Sequence, residues 1–221
     1  MKTEAVIKFR KETEKDISFL IDGIIAAEKS GSDIFSYLTI FGISENEFRE
    51  ILSELLPEDV PGQEFCYSNY SILEVNGANA GLTCSWMEGS GLKSSSIIKG
   101  TLMQYYFPKN AIEHAKSSKQ MLDSIAFHKH PGNLIIEYVY VAPDFRARGL
   151  GNLLIDYCID ENKKLNPEIN TASITVLKSN PKAIKAYQNA GFSIVDEKHC
   201  DDPAILKLIP SDSRVLMEKI I

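Results

Sequence analysis

The spacing of apolar positions changes period along the chain, and each change marks an element. Ala5 to Arg10 reads as a short first strand, and Glu14 to Lys29 places Ile17, Leu20, Ile21, Ile24 and Ile25 at helical spacing. A second helix is predicted from about Glu45 to Leu56: Ser44 is an N-cap residue type, Glu47 stands three positions later as in a capping box, and Pro57 ends the run. Tyr70 to Val75 and Ala78 to Trp86 read as strands joined by Asn76-Gly77, a pair that suits a tight hairpin because both residues tolerate positive φ.

MEGSGLKSSS, from Met87, then reads as a loop, Ser95 to Tyr106 as a helix, and Pro108 as the opening of another helix through Phe127, with Ile112, Ala115, Leu122, Ile125 and Ala126 on one face. The stretch 87–133 is too small to own a core, so it is read as an insertion between strands. LIIEYVYV, Leu134 to Val141, is apolar on both faces apart from one carboxylate, which implies a central strand. A helix follows from about Gly149 to Leu165, with Leu150, Leu153, Leu154, Tyr157 and Cys158 turned inward and Asn166-Pro167 as its stop. Ala172 to Leu177 is the next strand. Asn180 caps a helix with Pro181 at its first position, Ala183, Ile184, Tyr187 and Ala190 as its inner stripe, and Gly191 as its terminator. Phe192 to Val195, Ala204 to Ile209 and Val215 to Ile220 complete the strands, and the whole reads as one mixed α/β domain over residues 1–221.

Composition narrows the chemistry. With 221 residues and 44% hydrophobic content the chain can bury a sizeable core. A net charge of -6 argues against a basic footprint for nucleic acid or an anionic membrane. Cys66, Cys84, Cys158 and Cys200 lie far apart without Cys-x-x-Cys spacing, so neither a zinc knuckle nor a redox pair is suggested and free thiols in a reducing cytosol are expected. MKTEAVIKFRKETEKD lacks the apolar core of a signal peptide, and FLIDGIIAA is short and interrupted by Asp22. A soluble, cytoplasmic protein is the expectation.

The candidate chemistry centres on VYVAPDFRARGLGNLLIDY, Val139 to Tyr157, where a buried strand passes through Arg146 and Arg148 to Gly149 and Gly151 and into a helix. A helix N-terminus presents unpaired amides and a partial positive charge of about half a unit, and glycines leave that backbone open to a bulky anion. The arginines add charge, and the result suits a pyrophosphate. A dinucleotide fingerprint is excluded because Leu154 stands at its third glycine, and GLKSSS lacks the spacing and the upstream glycine of a Walker loop.

Arg146-Ala147-Arg148-Gly149-Leu150-Gly151 resembles the Arg/Gln-x-x-Gly-x-Gly/Ala signature of the GNAT superfamily of acyl-CoA-dependent N-acyltransferases. SNPKAIKAYQNAGF resembles that family's second motif, matching at Asn180, Ala183, Tyr187, Gly191 and Phe192. The order of elements is similar along nearly the whole chain. The 87–133 insertion is long for the family, and Ala147 stands where glycine is frequent. The resemblance implies a single GNAT-like domain, with a mixed central sheet, flanking helices and a helical insertion between the third and fourth strands. It further implies an N-acetyltransferase using acetyl-CoA and no metal, acting on a small-molecule or peptide amine by direct attack, and it leaves a homodimer open. A non-catalytic acyl-CoA-binding or regulatory module of the same fold is the rival.

Site roles are implied by the same resemblance. The cofactor would thread between splayed strands near Val139 to Val141 and Ile174 to Val176, with its pyrophosphate on the Arg148, Gly149, Leu150 and Gly151 amides and Arg146 nearby. A strand amide near Val141 would polarise the carbonyl. Tyr187 would protonate the departing thiolate, against a competing reading as a core tyrosine. Glu137 would relay the amine proton through water, against a reading as the wet end of its strand, while Tyr138 and Tyr140 are expected on the opposite face. Asn180 is explained as an N-cap, and a cofactor contact would be additional. His128 and His130 in FHKHPG have a spacing possible for a metal on a strand but lack a third ligand near in sequence, which disfavours metal and leaves a pocket-lining role open, and Ser90 is a loop residue rather than a nucleophile elbow.

Overall fold

The computed structural model describes residues 5–91 and 93–221; Met1 to Glu4, part of the N-terminal stretch read for a leader, and Leu92 of the MEGSGLKSSS loop lie outside the described residues. Seven strands, β1 (Ile7–Lys11), β2 (Tyr70–Val75), β3 (Ala78–Met87), β4 (Leu134–Val141), β5 (Thr171–Leu177), β6 (Ser193–His199) and β7 (Ser213–Ile220), form one sheet in the order β1-β2-β3-β4-β5-β7-β6. The strand that is apolar on both faces is therefore the middle one. β4 runs parallel to β5, and every other pairing is antiparallel.

The helices are α1 (Ile17–Glu28), α2 (Ser36–Phe41), α3 (Glu45–Leu55), α4 (Ser95–Tyr106), α5 (Lys109–Lys116), α6 (Lys119–Ser124), α7 (Leu150–Leu165) and α8 (Pro181–Asn189). Among the described residues none is long and apolar enough to cross a membrane. One core joins α1, α2, α3 and the start of the inserted helices to one sheet face, through Leu20, Ile24, Phe48, Leu52, Ile72 and Phe107. The opposite face packs on α7 and α8 through Ile136, Ile155, Cys158, Ile174 and Met217. The four cysteines are free and buried.

Local signals account for most boundaries. The Ser44 side chain accepts from the Glu47 amide at 3.2 Å, and the Glu47 carboxylate accepts from the Ser44 amide at 2.7 Å, so the capping box forms in full. Asn76 and Gly77 take φ of +52° and +81°, the left-handed pair that a two-residue hairpin requires.

Several expectations are corrected. The single helix from Pro108 to Phe127 is two helices, α5 and α6, parted at Ser117-Ser118; the Ser117 hydroxyl donates to the His114 carbonyl at 2.7 Å, a local bond that competes with helix continuation. Ala204 to Ile209 is no strand: Asp202 caps the Ala204 amide at 2.9 Å ahead of Pro203, and Pro203–Lys207 winds as a 3₁₀ turn whose Ile205 is buried. Leu153 of α7 is 40% exposed, and Ile155 and Ile159 are buried instead, so the inner face is rotated by about one residue. The α8 stripe is half-buried along Ala183, Ile184 and Tyr187, and only Ala190 beyond its end is buried. α2 was not anticipated, because its six residues, SYLTIF, are too short to show a period. β1 begins at Ile7 rather than Ala5, and the helix begun at Glu14 opens with a 3₁₀ turn before α1.

Candidate functional site

The site is created by a fault in β4. Tyr140 pairs with Leu82 and Glu137 with Cys84, so Tyr138 and Val139 together face the single residue Thr83 across the ladder, a β-bulge in which Tyr138 takes φ of +53°. The extra residue resets the alternation. Tyr138 and Tyr140 both join the core on the α1 side, while Val139 packs with the α7 and α8 side. The expectation that the two tyrosines face away from Glu137 is thereby overturned: all three line one cleft.

β4 and β5 already part ahead of the bulge. Their parallel pairing ends at Leu134↔Ala172 and Ile135↔Ser173, and a cleft of about 840 Å³ opens beside the rest of β4. The Ala142 amide donates to the Ala80 carbonyl of the strand on the other side at 2.9 Å, and the Val141 carbonyl instead accepts from Arg146 Nε at 3.0 Å. Since backbone groups alternate in direction along an antiparallel strand, the Val139 and Val141 amides face the gap.

At one end of the cleft lies the turn into α7. Ala147 and Gly149 take φ of +60° and +74°, and a Cβ placed on Gly149 or Gly151 would meet nothing within 4 Å. The amides of Arg148, Gly149, Leu150 and Gly151 find no acceptor among the described residues. Four consecutive uncovered donors at a helix N-terminus form an anion cradle. Leu150 contributes its amide alone, its side chain being buried. Arg146 lines the cleft, whereas Arg148 donates to the Asp144 carbonyl at 2.8 Å and lies over the Phe145 ring, outside the lining. The Asn180 side chain is used at both ends: Oδ1 accepts from the Ala183 amide at 3.1 Å, as an N-cap, and Nδ2 donates to Ser30 Oγ at 3.1 Å, tying α8 to the turn after α1.

Tyr187 of α8 and Glu137 of β4 line the same cleft. The Tyr187 hydroxyl has no hydrogen-bond partner among the described residues, and burial, with the charge of Glu137 added, holds its pKa above the usual phenol range. Burial also raises the Glu137 carboxyl, which Lys129 at 3.6 Å only partly offsets. Lys129 itself lies 4.5 Å above the Trp86 ring. The site thus joins a carboxylate made more basic, a phenol that keeps its proton, inward-facing strand amides and an anion cradle.

Residues without any sequence signal complete the walls. Glu28 from α1, Tyr37 from α2, Lys99 from α4 and Arg214 from β7 reach the cleft, as does Glu64 from the loop before β2. Burial pushes the Glu28 carboxyl up to about 7. Burial would raise Glu64 as well, but its ion pair with Lys99 holds it low, and its second oxygen is buried without a partner. His128 and His130, ring centroids 5.6 Å apart, line a small neighbouring cavity with Glu137, and among the described residues no three His, Cys, Asp or Glu side chains are placed to hold a metal.

Residues 103–192 match the model of the Acetyltransferase (GNAT) family. Comparison with curated proteins finds no match. Among solved structures, an N-acetyltransferase from Staphylococcus aureus Mu50 is similar over 96% of this chain and 99% of its own, with a TM-score of 0.65 and 11% identity. The ribosomal-protein-S18-alanine N-acetyltransferase from Escherichia coli is similar over 98% and 94%, with a TM-score of 0.51 and 15% identity. AAC(6')-Ib in complex with ribostamycin and coenzyme A is similar over 97% and 93%, with a TM-score of 0.53 and 16% identity. At these identities the likeness is one of fold. Both sequence signatures, Arg146 to Gly151 and Asn180 to Phe192, fall inside the matched range, so the segment 103–192 is similar to the GNAT family and the chain as a whole shares the fold of these structures.

Proposed function

We propose that the protein is an N-acetyltransferase that moves an acetyl group from acetyl-CoA to a primary amine by direct attack. One observation carries this reading: Glu137 and Tyr187 line one cleft at the β4–β5 parting, at whose end four amides lack acceptors among the described residues. Those amides and the open space over Gly149 and Gly151 fit a pyrophosphate, and the Val139 and Val141 amides fit a pantetheine-like chain. Bound there, acetyl-CoA supplies an activated thioester. Glu137 takes a proton from the acceptor ammonium, directly or through water, since an alkyl ammonium has no lone pair with which to attack. The Val141 amide donates to the carbonyl oxygen as negative charge gathers on it. Tyr187 gives its proton to the departing sulfur. One similar structure is a complex with ribostamycin and coenzyme A and another is a ribosomal-protein-S18-alanine N-acetyltransferase, which supports a small-molecule or peptide amine as acceptor here.

The test measures free thiol released from acetyl-CoA in the presence of amines. Tyr187→Phe keeps the ring and most of its packing, so kcat is expected to fall by about 10² while CoA affinity stays nearly unchanged. An unchanged kcat returns Tyr187 to a packing role. Stabilisation by CoA without thiol release for any amine replaces the enzyme reading by that of an acyl-CoA-binding module.

A further inference from the structure

Two opposite charges in the cleft have no partner among the described residues. Among the carboxylates that line it, Glu64 is paired with Lys99, Asp123 with Lys119 and Glu137 with Lys129. Glu28, the last residue of α1, has neither an ion pair nor a side-chain hydrogen bond among the described residues, although it is half-buried. Among the cations, Arg146 is bonded to the Val141 carbonyl and Lys182 is exposed on the first turn of α8. Arg214 has neither an ion pair nor a hydrogen bond among the described residues and is likewise half-buried.

Their placement is specific. Arg214 pairs in register with Leu177 of β5, and its neighbour Val215 is buried on the α7 and α8 side, so alternation turns Arg214 to the α1 face. That face carries Glu28, Glu137 and Tyr138. The Arg214 charge lowers the pKa of both Glu28 and Glu137, as does that of Lys99, with Lys129 acting also on Glu137 and Glu64 opposing at both. An acidic pocket for a polyamine would show a clear excess of carboxylates; this cleft is lined by four carboxylates and five cationic side chains. A half-buried guanidinium with no partner is costly, and its planar fork matches a carboxylate.

We propose that the acceptor is a zwitterionic amine of the amino-acid class, its carboxylate held by Arg214 and its ammonium drawn to Glu28 beside Glu137. The inference rests on the acetyl-transfer reading above. The acceptor nitrogen loses one proton toward Glu137 and bonds to the acetyl carbon as the carbon–sulfur bond breaks. Its second departing proton goes to solvent, and the sulfur takes the Tyr187 proton.

The experiment compares each amino acid with its decarboxylated amine, alanine with ethylamine and lysine with cadaverine, as acceptors for the full-length protein. The wild type is expected to prefer the acid by about 10² in kcat/KM for at least one pair, chiefly through KM. Arg214→Gln should bring that ratio near unity, and Arg214→Lys should restore part of it. An unchanged stabilisation by CoA shows that each variant is folded. Equal use of acid and decarboxylated amine by the wild type overturns the inference and leaves acetyl transfer standing, as does a preference that survives Arg214→Gln. CoA binding without thiol release for any amine, acid or decarboxylated, overturns both.

Discussion

Glu137 stands in an environment that opposes itself: burial and the charge of Glu64 raise its pKa, while Lys129, Lys99 and Arg214 draw it down, and the raised direction prevails. A raised carboxylate is protonated, and useless as a base, up to higher pH than a free one, so kcat/KM should rise with pH as Glu137 loses its proton. Glu137→Gln is expected to lower kcat/KM by about 10² near neutral pH, with the gap closing at high pH, where solvent deprotonates the amine unaided. A pH profile of both proteins decides the matter. A loss of equal size at every pH would make Glu137 a positioning residue, and no loss would route the proton elsewhere, with His128 and His130 next to be replaced.

At the scale of elements, the bulge in β4 and the turn into α7 do related work. The bulge holds Tyr138 in a left-handed conformation costing about 1–3 kcal/mol, and beyond the last β4–β5 pair at Ile135 it leaves strand amides facing a cleft rather than a neighbour. The turn leaves four amides open at Arg148 to Gly151. Because a Cβ on Gly149 meets no protein atom, Gly149→Asp tests the cradle more than the packing, at an expected cost of about 1 kcal/mol from its φ of +74°. For the wild type, CoA at a hundred times its dissociation constant should add about 2.7 kcal/mol of stability. The variant, with a carboxylate in the cradle, should show no such gain in a thermal melt, and equal stabilisation of the two would remove the cradle from the mechanism.

Over the whole molecule, one ion network joins the first strand to the rest. Arg10 of β1 bonds both oxygens of Asp16 at 2.7 and 2.8 Å, Glu74 of β2 at 2.6 Å and Asn79 of β3 at 2.8 Å, and Asp16 leads into α1. The Arg10 hydrogen bonds hold the Asp16 carboxyl well below its usual range, outweighing its burial. A carboxylate with a lowered pKa contributes stability above its unfolded value of about 3.9, and that contribution is lost as pH falls through the folded value. Asp16→Asn should therefore cost about 2 kcal/mol at pH 7, less than a fully broken buried pair because Arg10 keeps Glu74. The difference from wild type should shrink in urea melts as the pH is lowered below 4. A constant difference would assign the effect to packing.

What the sequence by itself determined are the features whose cause is local. The capping box at Ser44, the Asn76-Gly77 hairpin, the Asn180 cap and the open glycines before α7 all follow from the conformational preferences of a few adjacent residues. The central place of β4 follows from its being apolar on both faces. Tertiary structure decided the rest. A bulge shifts side chains between faces without changing composition, so the facing of Tyr138 could not be read from alternation. The Pro-bounded run at Ala204 was apolar enough for a strand, and its Asp202 cap and packing made it a turn. Glu28, Glu64, Lys99 and Arg214 come from a helix end, a loop, an inserted helix and an edge-side strand, and nothing in their neighbours along the chain marks them. Only folding brings these charges into one cleft, where low solvation gives each of them consequences that it lacks in the sequence.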